Sequence, residues 1–224
     1  MTAEPPARPP AGNARRTGPI TLGRGSLIAL VVVVAAMLAT TTYRSDSQAA
    51  PGQAARFDAA QYGADTYKSK VVPAIRKNAV DIVTLLKALT ADSAAAGKKY
   101  GHRDGTGLYS FAVTLTGTAG KATSGLLPIT VPGTGKARVS VQIGPAVNGT
   151  ALRDAAGFIK FGQFVNQVDY ADAGTALNNQ MKATVLADLD VAALQGKKVT
   201  VVGATSPLSA DLLTITPISI EPAP

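Results

Sequence analysis

A histidine, an arginine and an aspartate stand side by side in the densest polar segment of the chain, Lys99-Tyr100-Gly101-His102-Arg103-Asp104-Gly105-Thr106-Gly107. An imidazole can exchange protons near neutral pH, and a guanidinium can hold a carboxylate, a phosphate or a sugar hydroxyl. The same segment reads equally as a connector. Its three glycines would release a helix into a strand while Arg103 and Asp104 pin the crossover by hydrogen bonds. Arg153-Asp154, and Asn166 within the stretch 161–172, are polar groups that could face the same crevice. The candidate ligand-binding residues are therefore Tyr100, His102, Arg103, Asp104, Arg153, Asp154 and Asn166. No catalytic residue, cofactor or metal site is expected. His102 is the one histidine of the chain and there is no cysteine, which removes thiol nucleophiles, disulfides and Cys-ligated metals. A lone imidazole does not complete a catalytic constellation.

Other motifs lose their chemistry on inspection. Gly133-Thr134-Gly135-Lys136 resembles a phosphate loop, but Thr130 stands where the first glycine belongs and Ala137 where Ser or Thr should follow the lysine. It predicts a hairpin turn. Asn148-Gly149-Thr150 fits the glycosylation pattern, which is too short to carry an argument in a chain of bacterial composition. Phe158, Phe161 and Phe164 are spaced by three and read as core. No Lys or Arg lies between Phe161 and Asp172, so they lack the interleaved basic residues of a nucleic-acid platform.

The formal net charge of +8 over 224 residues does not restore a nucleic-acid reading, because of where it sits. Arg8, Arg15, Arg16, Arg24 and Arg44 against Glu4 put +4 on the first 44 residues. Residues 1–25, rich in Pro, Gly, Ala and Arg, predict a disordered cytoplasmic tail. Leu27 to Ala39 lies in an uncharged stretch of 19 residues from Gly25 to Tyr43, close to the roughly 20 that a spanning helix requires. Four arginines precede it and one follows closely, so the positive-inside rule leaves the N-terminus in the cytoplasm and the rest outside. The expected organisation is a single-pass signal anchor over 26–43 that engages the lipid bilayer through Leu27 to Ala39, followed by a linker over 44–55. The alternative is a signal peptide cut near Ser47-Gln48-Ala49, which would leave a secreted domain.

The remaining residues must position the polar clusters. Asp58 predicts an N-cap, and the apolar spacing of Ile75, Val80, Ile82, Val83, Leu85, Leu86 and Leu89 predicts one amphipathic helix of roughly 17 residues starting at Pro73. Asp92 caps a shorter helix ending at Gly101. Beyond Gly107 the period changes to two: strands are expected over 108–118, 126–131, 137–143, 198–202 and 212–221, with Thr150 capping a short helix and a longer helix around 171–189. Helices first and then five strands with a helical insertion predict an α+β fold. It consists of a helical subdomain over 56–107 packed on a small OB-like β-barrel over 108–224, preceded by the transmembrane helix. A β-sandwich satisfies the same order.

Lys99 to Phe111, Ile143 to Asp154, Phe158 to Leu177 and the closing Ile215-Thr216-Pro217, occurring in this order, resemble the domain of unknown function numbered 2291, whose members are described as predicted periplasmic lipoproteins. The resemblance implies a helical subdomain on an OB-like barrel and genes beside sugar-uptake transporter components, with no activity attached. The missing cysteine departs from the lipoprotein pattern and leaves Leu27 to Ala39 as the visible tether. The expected function is a membrane-anchored, non-enzymatic accessory or binding module for a small polar, sugar-like ligand or a transporter component, associated with ABC-type sugar uptake and without nucleic acid. An envelope hydrolase or lyase using His102 with Asp104, Asp154 or Asp169 is the alternative.

Overall fold

The computed structural model describes residues 31–34, 36–37 and 56–223. The chain divides into two units, residues 1–56 and 57–224. In the first unit, residues 31–34 and 36–37 are helical and exposed. Most of the membrane span expected over 26–43, with all of the expected tail and linker except part of that helix, lies outside the described residues. Among the described residues no helix is long and apolar enough to cross a membrane.

The second unit opens with α1 (Ala59–Thr66), where the Asp58 carboxylate accepts from the Gln61 amide at 2.9 Å as the N-cap expectation required. A π-helical turn, Tyr67–Val71, carries the helix into α2 (Val72–Asn78). The single amphipathic helix expected from Pro73 to Leu89 does not form. It breaks at Ala79, which is extended, and Val80–Asp81 becomes a two-residue strand, β1. The cause lies in Asp81, whose carboxylate accepts from the Val83 and Thr84 amides, both at 3.0 Å, and so starts a new helix, α3 (Ile82–Ala91). Asp92 then caps α4 (Ser93–Tyr100) through the Ala95 amide, and Gly101–His102 forms the short strand β2.

Five longer strands follow: β3 (Ser110–Ala119), β4 (Leu126–Thr130), β5 (Arg138–Gln142), β6 (Lys198–Thr205) and β7 (Leu212–Pro222). They pair in the order β3-β4-β5-β7-β6, and β6 pairs back to β3, so the sheet closes into a barrel. β5 and β7 are parallel and the other barrel pairs antiparallel. This is an OB-like barrel and not a sandwich. Alternation decides its interior: Phe111, Val113 and Leu115 of β3 meet Val139 and Val141 of β5, Val199 and Val201 of β6, and Leu213 and Ile215 of β7, all buried. Each such side chain contributes roughly 1.5–3 kcal/mol on burial. Ile82, Leu85 and Leu86 of α3 belong to the same cluster. Between β4 and β5 the Gly-Thr-Gly-Lys segment is the expected turn, with Gly133 and Gly135 at positive φ and the Thr134 hydroxyl donating to the Val131 carbonyl.

The connection from β5 to β6 carries α5 (Ala151–Ala155), a 3-10 turn (Phe161–Gln163), α6 (Gln167–Met181), a second π-helical turn (Lys182–Leu186) and α7 (Val191–Leu194). Leu152, Ala155, Leu177 and Met181 from this insertion bury against Tyr67, Val71 and Ile75 of the N-terminal helices and against Ala112, Ala204 and Ile218 of the barrel strands. Ala112 and Ala204 alternate with inward residues, so this second core lies on the outer face of β3 and β6. A Cβ on Gly63 would come within 3.0 Å of the Cβ and carbonyl oxygen of Ala176, which shows how closely α1 and α6 approach.

Candidate functional site

Three of the seven candidate residues meet in one cavity. Asp104, Arg153 and Asp154 line a space of about 530 Å³ together with Thr150, Phe161 and Tyr170. Arg153 and Asp154 reach it because α5 is short and its flanking residues Leu152 and Ala155 are drawn into the core. Thr150 occupies the N-cap position of α5 as expected, but its side chain makes no capping hydrogen bond: its hydroxyl donates to Asp154 Oδ2 at 2.6 Å, a charged acceptor.

Arg153 is 8% exposed and is the most constrained charge in the site. Its Nε donates to Asp154 Oδ1 at 2.7 Å, its Nη1 donates to the Tyr170 carbonyl at 2.8 Å, and its guanidinium carbon lies 3.5 Å from the Tyr170 ring centre. Nη2 has no hydrogen-bond partner among the described residues. Asp104 lines the same cavity from the loop after β2. Its Oδ2 accepts from the Phe161 amide at 2.6 Å, which ties two segments 57 residues apart. Asp104 has no ion-pair partner among the described residues. Arg153 and Asp154 cancel, so the wall retains one net negative charge. Burial raises the Tyr170 hydroxyl above its ordinary value; Arg153 opposes that rise, while Asp154 and Asp104 reinforce it. At neutral pH the phenol is thus a neutral donor, 3.4 Å from Asp154 Oδ1.

The other four candidates do not line this cavity. His102 pairs with Ser110 in the sheet, and its ring lies against Gly157, where a Cβ would be 3.0 Å from three ring atoms. Arg103 sits over the Tyr109 ring at 4.3 Å, and Tyr100 packs against the barrel core with Lys99 over its ring. Asn166 is the N-cap of α6, accepting from the Asp169 amide at 2.9 Å. Among the described residues no three acidic or His side chains cluster as a metal site would require.

Sequence reasoning missed Tyr170, Phe161, Ser110 and Ser206 of the wall. The phenylalanine triplet is not uniformly core: Phe161 is 47% exposed at the cavity and Phe158 is 36% exposed, while Phe164 alone packs against the second core. The 3-10 turn at Phe161–Gln163 interrupts the helical period that would have put all three on one face. Phe164 instead links Phe57, Tyr62 and Tyr170 in ring contacts of 5.3–5.6 Å. Nothing in the spacing of Ser110 or Ser206 distinguishes them; their hydroxyls meet at 2.6 Å only once the barrel has closed.

Residues 28–221 match the model of a protein family described as predicted periplasmic lipoprotein, DUF2291. The chain belongs to this family. The resemblance read from the sequence motifs is thereby shown, and the DUF2291 description places such proteins in the cell envelope outside the cytoplasm. A crystal structure at 1.90 Å of an OB-fold protein from Thermotoga maritima MSB8 is similar to this DUF2291 chain with a TM-score of 0.62 and 16% identity. It covers 75% of this chain and 99% of its own. At that identity the likeness speaks for the fold, and it agrees with the closed five-stranded barrel. Among curated proteins none matches.

Proposed function

We propose that this DUF2291 chain is a non-enzymatic binding module, held at the membrane by residues 26–43, that takes a small uncharged polyol such as a sugar in the cavity between Asp104 and Arg153. The observation that carries the reading is the pairing state of its charges. Arg153 is neutralised by Asp154 yet keeps Nη2 available, and Asp104 faces the cavity without a cation. Carboxylate acceptors, a guanidinium donor and hydroxyls suit a ligand that both donates and accepts, and the Phe161 ring supplies an apolar face. The net negative wall is the wrong sign for phosphates and carboxylates. An association with sugar uptake is the physiological setting we infer for such a module. The hydrolase or lyase reading draws no support from His102, which lies against Gly157 and does not line this cavity.

Isothermal titration of the full chain with glucose, ribose, N-acetylglucosamine and glucuronate tests this. The three neutral sugars should bind and glucuronate should not, and Asp104→Asn should weaken sugar binding at least tenfold. Binding of glucuronate in preference to the neutral sugars, or silence with all four, would contradict it.

A further inference from the structure

The charged cavity has a neighbour. A second space of about 580 Å³ lies across the strand ends, walled by Ser124, Leu126, Gln142, Ala146 and Thr216 among others, with no ionisable residue in its lining. Thr150 and Ser206 line both cavities. Each space alone falls in the range of about 300–1,000 Å³ usual for ligand sites, and together they exceed it. The two shared residues, Ser206 and Thr150, carry small side chains, each held by a neighbour, Ser110 and Asp154 respectively.

The polar chemistry of the two spaces differs in a way that sets direction. In the charged cavity Arg153 Nη2 and Asp104 keep hydrogen-bonding capacity for a ligand. In the uncharged one Gln142 is already spent within the protein, its Nε2 donating to Thr216 Oγ1 at 2.8 Å and to the Asn148 carbonyl at 3.1 Å and its Oε1 accepting from the Asn148 amide at 2.8 Å. This Gln142 network ties Asn148 of the 143–150 loop to β5 and, through Thr216, to β7. Gly125, Gly144 and Gly149, all at positive φ, leave backbone in place of side chains along the cavity.

We propose, on the basis of the sugar-binding reading above, that the two cavities are consecutive subsites of one groove and that the ligand is a neutral linear oligosaccharide of at least two units. One unit is held in the charged cavity by Asp104 and Arg153. The next crosses Thr150 and Ser206 and lies in the uncharged cavity on peptide groups and hydroxyls.

Titration of the full chain with the mono-, di- and trisaccharides of glucose, xylose and mannose separates the outcomes. The expected result is a disaccharide bound at least tenfold more tightly than its monosaccharide, with one ligand per chain. Ala146→Trp, at an exposed position that lines the uncharged cavity alone, should abolish that gain and leave monosaccharide affinity within about twofold. The retained monosaccharide binding also reports that the variant is folded. Equal affinity for one and two units, or two monosaccharides bound independently per chain, overturns the groove and leaves the single-sugar reading standing. Silence with every saccharide overturns both.

Discussion

Arg153 illustrates why a charge can be buried here without unfolding the protein. Its desolvation is offset by one carboxylate, one carbonyl and one aromatic face, and removal of the carboxylate would leave the guanidinium uncompensated. Asp154→Ala should therefore cost about 3–5 kcal/mol in urea unfolding. Replacing both partners by leucine should recover much of that loss. A cost below about 1 kcal/mol for the single substitution would show the pair to be effectively solvated. Tyrosines give a second test at this scale. Burial raises Tyr62, Tyr67 and Tyr170 above 10.0. A phenol with a raised folded pKa contributes stability that is complete below about pH 10 and is lost as pH rises through the folded value. Melting temperature should accordingly fall as pH rises above about 10, and Tyr67→Phe should reduce the fall. A flat profile would contradict the assignment.

At the scale of elements, Gly63 marks a close approach between α1 and α6. Gly63→Leu places a side chain where a Cβ alone already lies 3.0 Å from Ala176, and it should destabilise the protein by about 1–3 kcal/mol in thermal or urea denaturation. A helix former in place of glycine would otherwise stabilise α1, so an increase in stability would refute the close packing. The strands were legible because their burial alternates: Phe111, Val113 and Leu115 point inward as period two requires. The helix from Pro73 was misread because Ile75 and Leu89 share a helical face whether or not the chain breaks between them. The break is a competition between that apolar period and the capping capacity of Asp81, and the cap prevails because Val80 also gains a strand partner in Val113. The site was legible only in part for a related reason. Asp104, Arg153 and Asp154 stand out by charge, whereas Ser206 and Ser110 acquire meaning from the pairing of Phe111 with Thr205.

At the scale of the whole molecule, closure of β6 onto β3 brings the loop after β2, the helix after β5 and the end of β6 to one mouth of the barrel, and these segments wall the charged cavity. The DUF2291 membership speaks for the envelope outside the cytoplasm; the anchor proposed at 26–43 would make the chain a membrane protein. If so, the full chain should remain with membranes after an alkaline carbonate wash and a chain lacking residues 26–43 should not. Release of the full chain by that wash would overturn the anchor while leaving the cavity untouched. The central claim is that the mouth of the barrel selects an uncharged polyol through Asp104 and Arg153. It is tested most directly by titrating the full chain and its Asp104→Asn variant with one neutral sugar and its uronic acid. The account predicts that the neutral sugar binds, that the uronate does not, and that the substitution weakens the former at least tenfold. Equal binding of both sugars, unaffected by Asp104→Asn, would contradict it.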